Sequence, residues 1–192
     1  MKLYDLSERA SFYRETFPLW PSPNVEHGWL SAIWLMGNAY GGSGYYGSYP
    51  GTYLRRILSL FPDAEHILHL FSGSLPPGNY VRFDLKDADV CEDAEQLGTH
   101  FTQGQFDLIL ADPPYSQEDA VHYGTPMVNR NKVVKECAKV LQPGGFLVWL
   151  DQVYPMYRKT QLKPVGFIGI VSSTNHRFRV ATLFERTQAD VE

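Results

Sequence analysis

The stretch Phe106-Asp107-Leu108-Ile109-Leu110-Ala111-Asp112-Pro113-Pro114-Tyr115 restricts the fold more than any other part of the chain. From Phe106 to Ala111 it is almost continuously apolar, the pattern of a strand covered on both faces in a parallel sheet. Asp112 follows at the carboxyl end of that strand, the end at which open α/β sheets hold their ligands. Pro113 and Pro114 each fix φ at about −65° and lack an N–H, so the chain leaves the sheet abruptly in a stiff loop that presents Tyr115.

The remaining elements fit around such a strand. Apolar positions at Leu6, Phe12, Tyr13, Phe17 and Trp20 have loosely helical spacing, and Pro18, Pro21 and Pro23 interrupt the chain after that helix. A second helix is expected over Val25 to Met36, with Trp29, Ile33 and Trp34 on its apolar side. Residues 40–51 are rich in glycine and tyrosine, giving a mobile segment with flat faces, and its end, Tyr49-Pro50-Gly51, opens a helix from Thr52 to Phe61. Ile67 to Ser74 reads as a strand entering a small-residue turn, Tyr80 to Asp84 as a second strand, and Asp89 to Ala94 as a short third one. Only eight residues, Ser72 to Asn79, separate the first two. A parallel crossover usually takes about a dozen or more, so the helix there must be a stub or missing.

Beyond the Asp-Pro-Pro-Tyr loop, Ser116-Gln117-Glu118-Asp119 has the chemistry of a helix start. Asn129 to Leu141 is amphipathic, with Val133, Val134, Cys137, Val140 and Leu141 inward and Lys132, Lys135, Glu136 and Lys139 outward. Gln142-Pro143-Gly144-Gly145 ends it, and Phe146 to Asp151 is the next buried strand. Lys163 to Val171 and Phe178 to Glu185 form a hairpin joined at residues 172–177.

At 192 residues the chain has room for one domain with a substantial core. No apolar run reaches the length of a transmembrane helix and the start does not read as a signal peptide, so a cytoplasmic protein with no membrane partner is expected. Cys91 and Cys137 stand in no metal-ligand spacing with the six histidines; both read as structural thiols, and no metal is expected. A net charge of −4 argues against a strong polyanion binder. Its distribution is asymmetric: residues 62–119 hold 2 basic and 12 acidic side chains, and residues 127–186 hold 10 and 3, an asymmetry that can mark a polyanion face but that on charge alone is better read as two solvated faces.

A loop of this kind suits chemistry on an exocyclic amine attached to a flat ring. Asp112 and a backbone carbonyl freed by the prolines accept from the amine, Tyr115 offers a face for the ring, and the amine lone pair is aimed at an electrophile. An ordinary strand-to-loop exit would also use Asp and Pro. The tetrapeptide after an apolar strand resembles the signature of the S-adenosylmethionine-dependent amino-methyltransferases, which methylate N6 of adenine or N4 of cytosine in DNA.

That resemblance spans Tyr49 to Glu185 and implies a Rossmann-like class I methyltransferase fold, α/β, with a mostly parallel sheet closed by a C-terminal antiparallel hairpin. It divides the chain into an N-terminal helical arm with the Gly/Tyr-rich loop (1–48), a methyltransferase domain (49–186) and a tail (187–192). It implies Asp112, Pro113, Pro114 and Tyr115 as the catalytic set. It further implies S-adenosylmethionine, leaving as S-adenosylhomocysteine, held by Tyr49, Pro50, Gly51, His69, Phe71, Ser72, Gly73, Ser74, Asp84 and Asp93. Asp84 would take the ribose hydroxyls and Asp93 the adenine amine; surface loop acids are the commoner fate of Asp, and the placement of both between two recognisable motifs favours the cofactor. His69 stands where the family has an acid, and Leu75 where it has its last glycine.

The reaction implied is methylation of adenine N6 in DNA, on a base flipped from the stack if the DNA is duplex. Asn175, His176 and Arg177 at the hairpin turn are candidates for touching the substrate, though turn chemistry alone explains Asn and Ser there. DNA is the expected partner. No target-recognition region is evident, which leaves room for a specificity subunit or a homodimer. An RNA or protein-glutamine methyltransferase remains open, as does an inactive S-adenosylmethionine-binding or partner subunit.

Overall fold

The computed structural model describes residues 4–36, 49, 52–125, 127–172 and 178–188. Among them, nine strands form one sheet: β1 (Asn24–Glu26), β2 (Trp29–Met36), β3 (Ile67–Leu70), β4 (Val81–Asp84), β5 (Val90–Cys91), β6 (Phe106–Ala111), β7 (Leu141–Asp151), β8 (Leu162–Ser172) and β9 (Phe178–Arg186), in the order β1-β2-β8-β9-β7-β6-β3-β4-β5. The strands β5, β4, β3, β6 and β7 are parallel neighbours; β9 runs antiparallel to both β7 and β8. The expected parallel sheet and C-terminal hairpin are both present. Among the described residues no helix is long and apolar enough to cross a membrane.

All six residues of β6 are buried. Its one charged side chain, Asp107, is accommodated because the backbone N–H groups of Glu65 (3.0 Å) and His66 (3.1 Å) donate to its carboxylate. Helices α1 (Leu6–Thr16) and α2 (Tyr53–Ser59) cover one face of the sheet, where Tyr13, Trp34, Ile57, Leu108, Leu110 and Val148 pack together. The other face carries α3 (Leu97–His100) and α5 (Arg130–Val140), with Val133, Val134 and Cys137 against Leu147 and Trp149. Helix α4 (Gln117–Tyr123) starts at Ser116, whose side chain accepts from the Asp119 N–H, and α5 starts at Asn129, whose side chain accepts from the Lys132 N–H. Glu136, expected outward on α5, is instead buried, accepting from the Gly98 N–H at 3.2 Å and from Lys139 at 2.5 Å.

Residues 24–36 are a β-hairpin, where a helix was expected. His27 (φ 50°) and Gly28 (φ 73°) make a tight turn with both residues in the left-handed region, and β2 then pairs in parallel with β8. In β2, Leu30, Trp34 and Met36 face the core on alternate residues, while Ile33 and Leu35 are 70% and 65% exposed. The Trp29, Ile33 and Trp34 spacing that suggested a helix thus divides between the two sides of a strand. The crossover between β3 and β4 contains no helix, as the shortness of the segment required.

The order of the sheet reverses between β3 and β6, so the chain leaves these adjacent strands in opposite directions and opens a crevice at their carboxyl ends. Leu70 and Ala111 are register partners there, and the next N–H, that of Asp112, donates to the Leu70 carbonyl at 3.4 Å.

Candidate functional site

Asp112 is the first residue beyond β6 and sits in that crevice. Burial raises its carboxyl to about 7, against the hydrogen bond from Tyr115 and the charge of Arg179, which both act to lower it. The Tyr115 hydroxyl donates to Asp112 Oδ1, and Arg179 Nη1 donates to the Tyr115 oxygen at 3.1 Å with its guanidinium carbon 4.9 Å from the ring centroid. Tyr115 is partly exposed at the end of the loop, with its hydroxyl turned back onto Asp112.

The loop is clamped from below. Arg130, the first residue of α5, bonds Asp151 at the end of β7 through Nε at 2.6 Å, and its Nη2 donates to the carbonyls of Pro114 (3.3 Å) and Tyr115 (3.0 Å). The Asp151 side chain is 1% exposed and also accepts from Trp149 Nε1 at 3.2 Å and the N–H groups of Gln152 and Val153. A buried ion pair so furnished with donors fixes geometry, whatever its net contribution to stability. With the Pro114 and Tyr115 carbonyls taken, the Asp112 and Pro113 carbonyls are the acceptors of the tetrapeptide backbone to which no described group donates, and Pro113 lies beyond the strand end.

The turn after β3 is held by Asp84. Its Oδ2 accepts from the Gly73 N–H at 2.8 Å and its Oδ1 from the Leu85 N–H at 2.7 Å, while the N–H of Phe71 bonds the Phe83 carbonyl at 2.9 Å. Phe71 (φ 61°) and Gly73 (φ 52°) are both left-handed, a conformation rare for phenylalanine and found where a backbone is shaped for a task. Ser72 is buried with its hydroxyl unpartnered among the described residues, and Ser74 is exposed.

His69 is 1% exposed, flanked by the rings of Tyr49 (5.8 Å) and Tyr80 (4.6 Å), with Nδ1 at 3.3 Å from the Tyr49 hydroxyl and Nε2 unpartnered among the described residues. Burial lowers it to about 4, so the ring is neutral at pH 7. Tyr49 also stacks on Tyr53 at 5.6 Å; burial, and secondarily the Asp112 charge, raises both phenols well above their ordinary value.

The structure thus brings together Asp112, Pro113, Pro114, Tyr115, Tyr49, His69, Phe71, Ser72, Gly73 and Asp84 around the carboxyl ends of β3, β4 and β6. Asp93 is placed at the end of β5 as the exposed cap of the 3-10 helix Ala94–Gln96, accepting from the Glu95 N–H at 2.9 Å. Pro50, Gly51, Asn175, His176 and Arg177 lie outside the described residues, as do residues 40–48. Arg130, Asp151, Arg179, Tyr53 and Tyr80 were not singled out from the sequence. Arg130 carries no local mark of its role, whereas Arg179, next to the hairpin turn in a strand of apolar residues, could have been flagged as a cation delivered to the ligand end of the sheet.

The basic character of the last third is partly internal. Arg130, Lys132 and Lys139 are ion-paired, Arg186 is buried against the Gln161 carbonyl, and Arg179 lies on Tyr115.

No family model matches the sequence, and no curated relative does. Among solved structures, TrmN from Thermus thermophilus superposes with a TM-score of 0.52 at 16% identity, covering 73% of this chain and 50% of that one. The fold is that of a class I methyltransferase. A carbon methyltransferase, CurJ, matches with a TM-score of 0.39 at 10% identity over 71% of this chain and 53% of its own. An S-adenosylmethionine-dependent methyltransferase from Mesorhizobium loti matches at 0.29 and 14% identity over 65% and 68%. The chain spans about half the length of the first two.

Proposed function

We propose that this chain transfers a methyl group from S-adenosylmethionine to an exocyclic amine on a planar base, the N6 amine of adenine in DNA. The observation that carries the reading is the pair of acceptors at the end of β6. Arg130 occupies the Pro114 and Tyr115 carbonyls, leaving the Asp112 carboxylate and the Pro113 carbonyl to accept the two hydrogens of one amine. An amine held by both hydrogens keeps its lone pair directed out of that plane, which is the orientation attack requires.

The residues around the β3 turn suit the cofactor. The left-handed backbone at Phe71 and Gly73 lets a ligand pack closely on the chain of the turn, and each Asp84 oxygen keeps a lone pair for a ribose hydroxyl. The buried, unpartnered His69 Nε2 and Ser72 Oγ are polar atoms of the kind a polar ligand satisfies. A neutral histidine in place of an acid still offers one hydrogen bond there. When bound, S-adenosylmethionine supplies an electrophilic methyl group on a sulfonium.

The chain's own part is to orient the amine and to manage its proton. Asp112, raised to about 7, accepts from the amine before transfer and is able to hold the proton the methylated nitrogen releases. Tyr115 must first yield Asp112 Oδ1 to the amine, and its ring is then free to stack on the base. A base in duplex DNA would reach it only after leaving the stack.

The test is transfer of labelled methyl from S-adenosylmethionine to unmethylated DNA, with nucleoside analysis and Asp112→Ala as control. N6-methyladenine that vanishes in the control is the expected result. Label appearing instead in RNA or on a glutamine amide would refute the DNA assignment and keep the amine chemistry. Failure to bind S-adenosylmethionine in calorimetry would overturn the reading in favour of an inactive partner subunit.

A further inference from the structure

Arg179 has no part in the two-acceptor scheme, yet it is built into the site. It lies on β9, one residue past the start of the strand, and its side chain shares the sheet face of Ala181 and Leu183, which are fully buried under α1 and α2. Its guanidinium lies over the Tyr115 ring, Nη1 bonds the Tyr115 hydroxyl, and that hydroxyl bonds Asp112. Arg179 Nε is buried and has no partner among the described residues. A half-buried guanidinium with so few acceptors is held in place chiefly by the π face of Tyr115 and by the negative end of Asp112.

The geometry has two consequences. One face of Tyr115 is already covered, so a planar substrate has only the opposite face to stack on. The Tyr115 hydroxyl also occupies the Asp112 oxygen that the substrate amine needs, so binding must exchange one donor for another on that oxygen. Arg179 touches Tyr115 through both ring and hydroxyl, and it is the group able to keep the tyrosine in register while the exchange takes place.

We propose that Arg179 is the positioning residue for Tyr115. Resting on the amine-methylation reading above, it backs the tyrosine in a guanidinium, tyrosine and base sandwich, and retains the hydroxyl once Asp112 has passed to the substrate amine. Arg179 sets base affinity through the tyrosine and sets the ionisation of Asp112 through its charge. It does not hold the cofactor.

The experiment uses the full chain with S-adenosylhomocysteine bound and a single-stranded oligo-thymidine carrying one 8-vinyl-deoxyadenosine, a fluorescent adenine that keeps the N6 amine and whose emission is quenched by stacking on an aromatic ring. Wild type is expected to quench the probe, and Tyr115→Ala to lose the quench. Arg179→Met should weaken probe binding roughly ten-fold, in line with the loss of a partly desolvated cation–π contact, with S-adenosylhomocysteine affinity and thermal stability little changed. Arg179→Lys should recover the pH dependence of binding that the Asp112 ionisation imposes but not the affinity, because an ammonium neither stacks flat nor donates as a fork. Equal binding by wild type and Arg179→Met, or full recovery of affinity by lysine, overturns the proposal while leaving amine methylation standing. Failure of the cofactor-bound wild type to bind or quench the probe overturns the nucleobase reading and this proposal with it.

Discussion

Replacing Asp112 by asparagine should make the protein more stable above neutral pH while removing methyl transfer. The carboxyl lies at about 7 in the folded chain against an ordinary 3.8, chiefly because burial disfavours its charge. Between those values the folded chain keeps a proton that the unfolded chain has released, so stability falls as pH rises through this window. Below it both states are protonated and the penalty vanishes; above it the penalty is complete. The full shift converts to roughly 4 kcal/mol at 1.36 kcal/mol per unit. Asp112 retains some solvent-accessible surface, so about 2 kcal/mol is the expected size after screening. Asparagine keeps the shape and the acceptor for the Tyr115 hydroxyl but does not titrate. Urea unfolding of both proteins at pH 5 and pH 8 should show the asparagine variant gaining on wild type by about 1 kcal/mol between the two, because roughly a third of the penalty is already present at pH 5. An equal difference at both pH values would refute the assignment of a raised carboxyl to this site.

The same ionisation should appear in the rate: kcat/KM for transfer should rise with pH through a limb near 7, because the carboxylate is the better acceptor for the amine; a flat profile from about pH 5.5 to 8.5 would count against Asp112 as that acceptor. Arg130→Met leaves the Asp151 carboxylate buried without its cation and should cost about 3 kcal/mol in urea unfolding, the low end for such a loss because Trp149 and two backbone N–H groups still donate to it. Arg130→Lys should restore most of that stability without restoring transfer, since an ammonium does not hold Asp151 and two carbonyls in one plane. Asp84→Ala should raise the Kd for S-adenosylmethionine in calorimetry by about ten-fold or more, in keeping with the loss of a charge-assisted hydrogen bond, with a smaller fall in thermal stability from the two backbone N–H groups released.

Much of the molecule was legible because its signals are local. The run Phe106 to Ala111 is buried from end to end, Asn129 and Ser116 cap the helices they seemed to open, and the shortness of Ser72 to Asn79 excluded a helix. The β1–β2 hairpin was misread because an apolar octapeptide satisfies both periods; His27-Gly28 held the deciding information, since two consecutive left-handed residues suit a hairpin turn and not a helix interior. At the site, the tetrapeptide announced Asp112 and Tyr115, but not the contact between them. Arg130 and Asp151 lie 21 residues apart and Arg179 lies 64 residues from Tyr115. Partnerships of that span are set by strand order, which no local pattern encodes.

The seating of β2 beside β8 also bears on how the chain reaches its native state. Residues 29–36 are synthesised well before their partner, residues 162–172, and before β9 beyond it. Until then β2, with Ile33 and Leu35 along one side, has among the described residues only the three-residue β1 to pair with. The ribosome must therefore deliver all the residues from β2 to β8 before this edge is closed. Closure of so long a loop makes the step slow and leaves an adhesive strand exposed meanwhile. Chains stopped before β8 should collect as aggregates instead of as a smaller folded core, and refolding from denaturant should depend on protein concentration more steeply than the finished molecule's surface would suggest.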